Sequence, residues 1–167
     1  MAKFNLKTAT EAAKTQTATE SMVAGYHRVM MIQVAEIGLQ RGFNETDEPK
    51  ESVGFVFTNT AGQQICKTMT LVVSAYSNFN KILKTIDDVP GELSELLGHE
   101  LVIEIEANGK YPKILGFYHL DDGLSDEPAL SKPDELLYFT VENPQPDVLK
   151  KLHSQLRQAV AGRIRTK

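Results

Sequence analysis

Apolar and polar positions alternate along much of the chain, and the places where the alternation slips are as informative as the places where it holds. From Gly25 to Gln40 the sequence reads GYHRVMMIQVAEIGLQ, rich in β-branched and apolar residues and free of proline. A period of two marks a strand, and a slip in it marks a bulge. One long strand is predicted, bent or bulged, with Gly38 permitting a bend near its end. Residues 40–52, QRGFNETDEPKES, are polar and carry Gly, Asn and Pro, the composition of a loop. In SVGFVFTN, Val53, Phe55 and Phe57 fall on one side. After a turn at Ala61-Gly62, QQICKTMTLVV sets Ile65, Lys67, Met69 and Leu71 against Cys66, Thr68, Thr70 and Val72. These three segments predict an antiparallel meander.

The period then changes to that of a helix. Ser77 is placed to cap NFNKILKTI, where Phe79, Ile82, Leu83 and Ile86 share a helical face, and Asp87-Asp88-Val89-Pro90-Gly91 ends it. ELSELLGH reads as a short helical turn stopped by Gly98. A hairpin follows, rising through Leu101, Ile103 and Ile105, turning at Asn108-Gly109 and continuing to Phe117. Alternation places Tyr111, Lys113, Leu115 and Phe117 on one face, with Ile114 and Tyr118 on the other, and leaves open which face is the core. Residues 121–135 are an acidic, turn-rich loop, and ELLYFTV adds a last short strand. In QPDVLKKLHSQLRQAVAG, Leu149, Leu152, Leu156 and Val160 recur at the spacing of one amphipathic helix.

Residues 1–21 hold few large apolar groups and predict a mobile arm. The organisation expected is therefore an arm at 1–21, a domain at 22–142, and a C-terminal helix with a basic tail at 143–167. The fold class is mainly β with helices. Three strands, a helix and two strands is the element order of a five-stranded OB-like barrel with its helix between strands 3 and 4. Several α+β topologies share that order.

Composition narrows the function more than the fold. The net charge is −4, but six of the 18 Lys and Arg residues lie from Val148 onward, where none of the 22 acids lies. An acidic body with a basic end excludes a broad cationic surface, so a polyanion would have to meet a local patch. Cys66 is the only cysteine, which excludes an internal disulfide and a thiolate metal cluster and fits a reducing cytoplasm. No apolar run reaches the roughly 20 residues of a membrane span, and the N-terminus lacks the apolar block of a signal peptide. His27, His99, His119 and His153 are scattered without metal-ligand spacing. The pairs Asp121-Asp122 and Asp126-Glu127 match no calcium loop. Neither a catalytic signature nor a cofactor motif stands out, so no enzyme, cofactor or metal is expected.

Three blocks carry a resemblance: VAGYHRVMMIQVAEIGLQ, MTLVVSAYSNFNKIL and ELLGHELVIEIEANGKYPKILGF. In this order, over roughly residues 22–120, they resemble bacteriophage single-stranded DNA-binding-like proteins with an OB-type core. The segment DVLKKLHSQLRQAV is similar to the short amphipathic helix that often follows in such proteins. The resemblance implies sequence-tolerant binding of single-stranded DNA in phage replication or recombination, in the host cytoplasm. Its implied partners are single-stranded DNA and either a homo-oligomer or a replication or recombination protein.

Single strands are held by cations along the backbone and by aromatic faces under the bases. Tyr111 and Lys113 offer both beside the hairpin turn, and Tyr26 and Arg28 offer both on the first strand. Lys67 lies in the third strand, and Lys150, Lys151 and Arg157 could meet phosphates from the C-terminal helix. Each cation reads equally as a solvated surface residue, and those at a helix C-terminus also complement the helix dipole. The stripe Leu149, Leu152, Leu156 and Val160 either packs on its own domain or docks on a partner or second subunit. That second use makes the alternative function a protein-interaction or assembly module.

Overall fold

The computed structural model of the chain describes residues 22–41, 48–107, 111–133 and 135–164. The arm expected at 1–21 and the Asn108-Gly109 turn lie outside the described residues. Six strands form one sheet: β1 (Gly25–Gln40), β2 (Lys50–Thr58), β3 (Gln64–Thr70), β4 (Glu100–Glu106), β5 (Lys113–Tyr118) and β6 (Leu137–Thr140). The order is β3-β2-β1-β4-β5 with antiparallel neighbours, and β6 joins parallel to β1. The sheet is open, with β3 and β5 at its ends and no ladder between them among the described residues. Among the described residues three short α-helices, α1 (Asn78–Leu83), α2 (Pro146–Lys151) and α3 (Ser154–Ala161), and two 3-10 turns complete a mainly-β architecture.

The long first strand organises the rest. Its residues 25–30 pair with β4, and its residues 30–40 pair with β2. Register shifts between Met31 and Gln33 and between Glu36 and Gly38 leave Ile32 and Ile37 as extra residues. Such bulges bend a strand and tighten its twist, which explains the slips in its alternation. Gly38, at φ +79°, takes a conformation that a side chain would strain. Along Gln33–Glu36, β6 occupies the edge of β1 that β2 leaves open.

The curl of the sheet creates an inner face. Val29, Met31 and Val34 of β1 pack there with Phe55 and Phe57 of β2 and Leu101, Ile103 and Ile105 of β4. Phe57 of β2 and Phe117 of β5 have two strands, β1 and β4, between them in sheet order, yet their ring centroids are 6.0 Å apart. Helix α1, capped by the Ser77 hydroxyl at Asn80 N (3.2 Å), adds Phe79 and Ile82 to this core. Phe79 stacks on Phe55 at 6.2 Å.

The outer face of β1 and β2 has a core of its own. Met30, Ile32, Ala35, Ile37 and Val56 lie under Leu137, Phe139, Leu152, Leu156 and Val160. The single C-terminal helix expected from sequence is instead two helices, broken at Leu152-His153. Gln33, nearly buried on β1, meets the chain at the break: its side-chain Oε1 accepts the His153 N–H at 2.8 Å. His153 Nδ1 in turn accepts Gln155 N–H at 3.1 Å and starts α3. The break tips Leu156 onto Gly54, where an added Cβ would stand 2.1 Å from Leu156 Cδ2. Gln40 Nε2 donates to Ala159 O at 2.9 Å, and Ile164 N–H donates to Leu39 O at 2.8 Å, fastening the far end.

Candidate functional site

Beyond the cover formed by α2, α3 and β6, the outward side of the sheet carries a small aromatic surface. By ladder position, Tyr26 and Arg28 of β1 face outward with Val102 and Glu104 of β4 and Gly116 and Tyr118 of β5. The Tyr26 and Tyr118 rings meet edge to face, with centroids 5.8 Å apart and planes at 73°. A Cβ at Gly116 would fall 2.7 Å from Tyr118 Oη and 3.0 Å from Cζ, so the Tyr118 ring lies back along β5 over that glycine. Its hydroxyl donates to Glu104 Oε1 at 3.0 Å. That bond holds the phenol above its ordinary pKa, so it remains a donor. The Tyr118 ring is thus fixed against the sheet, and Tyr26, 40% exposed, meets it edge to face.

Charge on this surface is balanced rather than positive. Arg28 Nε donates to Glu100 Oε1 at 2.9 Å, and the same oxygen accepts the Leu130 N–H at 2.9 Å. Lys113 stands opposite Glu106 in the β4–β5 ladder. A phosphate would be repelled from the centre, at Glu104, and accepted only toward the margins.

The residues named from sequence divide between the two sides of the sheet. Tyr26, Arg28 and Lys113 come together on the outward face, and Tyr111 precedes β5 with 64% exposure. Lys67 does not join them: it pairs with Phe55, between Ile65 and Met69, on the inner face. The alternation assigned to β5 is also corrected. A bulge at Leu115 reverses the parity, so Ile114 and Phe117 pack inward while Lys113 and Tyr118 face out. Lys150 and Arg157 are exposed on the cover, whereas Lys151 Nζ is bonded to Glu135 at 2.8 Å, which raises its pKa.

The C-terminal stripe, read from sequence as either packing on its own domain or docking on a partner, takes the first course. Leu152, Leu156 and Val160 are buried against the chain's own sheet, and Leu149 is partly buried beside them. The structure adds Tyr118 and Gly116, which sequence reading placed with neither the site nor its face. Their signal was the Gly-x-Tyr spacing, which puts a ring and a flat place for it on one strand face.

Other chemistry is accounted for structurally. Burial pushes the Cys66 thiol up to about 12, so it is an unreactive neutral side chain. His27 is nearly buried, bonded to Val23 O at 2.7 Å and 3.5 Å from Glu127. His119 is paired with Asp87 at 2.8 Å, which raises its pKa. Among the described residues, no group of three His, Cys, Asp or Glu could hold a metal ion. Among them, no helix is long and apolar enough to cross a membrane. Compared with known proteins, the chain matches no family model and no curated sequence.

Proposed function

We propose that the chain is a non-enzymatic protein that binds single-stranded DNA with little sequence preference, using the outward face of β1, β4 and β5. The observation that carries this reading is the Tyr26–Tyr118 pair, whose Tyr118 ring lies over Gly116 and is bonded to Glu104. Bases stack on such rings irrespective of sequence, at about 1–3 kcal/mol per base. The order β3-β2-β1-β4-β5, with a helix between β3 and β4, is that of an OB-fold, which supports the same reading. The resemblance to bacteriophage single-stranded DNA-binding-like proteins supports a role in covering strands during replication or recombination.

Mechanistically, stacking does most of the holding. Arg28 is engaged by Glu100, so of the cations named from sequence Lys113 at one margin and Lys150 and Arg157 on the cover are offered to phosphates. With two or three phosphates neutralised, the salt slope is about −1.4 to −2.1, shallow for a nucleic-acid protein. The test is fluorescence anisotropy with a short labelled single strand of mixed sequence, at low and moderate salt. Tyr26→Ala combined with Tyr118→Ala is expected to weaken binding by about 2 kcal/mol or more while the thermal midpoint stays close to that of the parent. Absence of binding by the parent at low salt, or equal binding by the double variant, overturns the proposal.

A further inference from the structure

The proposed surface has a carboxylate at its centre, which is an odd place for one in a protein that holds a polyanion. Glu104 faces Tyr26 across one ladder and Gly116 across the other, so its strand position lies between those of the two rings, beneath where they meet. Its Oε1 accepts the Tyr118 hydroxyl. A carboxylate has about four acceptor positions, so this bond leaves capacity. Glu100, by contrast, already receives both Arg28 and the Leu130 N–H.

We propose that Glu104 makes this surface selective among bases, its carboxylate accepting the exocyclic amino group of cytosine, adenine or guanine and disfavouring thymine. The inference rests on the single-strand reading above and deepens it, adding a modest preference among bases to stacking that every base supports. A base laid on the Tyr118 ring brings its edge toward the carboxylate that holds that ring's hydroxyl. In single strands those edges are not occupied by pairing. Cytosine offers the N4 amino group, a favourable donor to a carboxylate, whereas thymine presents carbonyl oxygens. An acceptor in this position costs phosphate affinity and returns discrimination.

The experiment compares labelled oligo-dC with oligo-dT of equal length, by anisotropy, for the parent chain and for Glu104→Gln. A glutamine keeps an acceptor for the Tyr118 hydroxyl and adds a donor that thymine can use. The parent is expected to bind oligo-dC about five-fold or more tightly than oligo-dT, and Glu104→Gln to bring the ratio close to one. Equal or tighter binding of oligo-dT by the parent, or an unchanged ratio in the variant, overturns the base selectivity and leaves the single-strand reading standing. Failure of the parent to bind either oligomer, or the mixed strand, removes both. A thermal unfolding profile matching the parent confirms that Glu104→Gln changes the surface and not the fold.

Discussion

β1 presents one outward side to two different surroundings. Over its first residues that side carries Tyr26 and Arg28, which face solvent or ion partners at the surface. From Met30 to Ile37 the same side carries Met30, Ile32, Ala35 and Ile37, closed over by Leu152, Leu156 and Val160. The contrast shows how one sheet face is divided between holding the fold together and remaining available. The covered part is aliphatic apart from Gln33, whose side-chain amide is turned to the His153 N–H rather than to water. The open part is aromatic and charged, and its Tyr118 ring is positioned by a glycine and a carboxylate rather than by a core.

The two parts should respond oppositely to substitution. The largest expected effect is on the covered side. Leu156→Ala removes a fully buried side chain from the contact with Gly54 and should cost about 2–5 kcal/mol in a urea titration. Single-strand affinity measured well below the unfolding midpoint should stay near that of the parent. A stability loss under about 1 kcal/mol would mean that the cover is not a part of the core.

On the open side, Gly116→Ala places a Cβ where the Tyr118 phenol lies. The obstacle is the far end of a side chain, so the ring can swing away at little cost. Stability should change by less than about 0.5 kcal/mol, while affinity falls by about 1 kcal/mol as the stacking surface is lost. A variant that binds as the parent does would show that the flat position of the ring is immaterial.

The smallest effect expected is a pH dependence, of which His153 carries the part that lies in the cover. Burial, and secondarily Arg157, lowers the His153 pKa, and its Nδ1 caps α3 only while unprotonated. The unfolded chain takes up a proton near pH 6.5 while folded His153 resists. The contribution of His153 is therefore complete above about pH 6.5 and declines as pH falls from there through the folded value. With the base-catalysed slowing of exchange at lower pH divided out, the protection of Gln155 and Leu156 should fall over that interval in the parent and much less in His153→Asn. His119 has the opposite sign, since Asp87 raises its pKa and its contribution declines as pH rises through the folded value. Measuring exchange residue by residue separates the two.

Element type was legible from local pattern wherever a single period held. The β1-β2-β3 meander, the Ser77 cap and the extended segments on either side of Asn108-Gly109 follow from alternation and turn chemistry, which act over a few residues. The candidate surface was only partly legible. Tyr26, Arg28 and Lys113 are recognisable by residue type, but Lys67 looked equivalent to them because alternation cannot say which side of an isolated strand is inner. Tyr118 was missed because one bulge at Leu115 exchanges inside for outside beyond it.

By itself, then, the amino-acid order determined where strands, turns and helical segments arise and which side chains can pack, stack or carry charge. Tertiary structure alone decided that the C-terminal stripe closes on its own sheet, that the expected helix breaks at His153, and that Tyr26 meets Tyr118. The reason is distance along the chain. Gln33 and His153, or Tyr26 and Tyr118, are far apart in sequence, and contacts of that kind depend on how the sheet curls and where its register shifts, which no local period records.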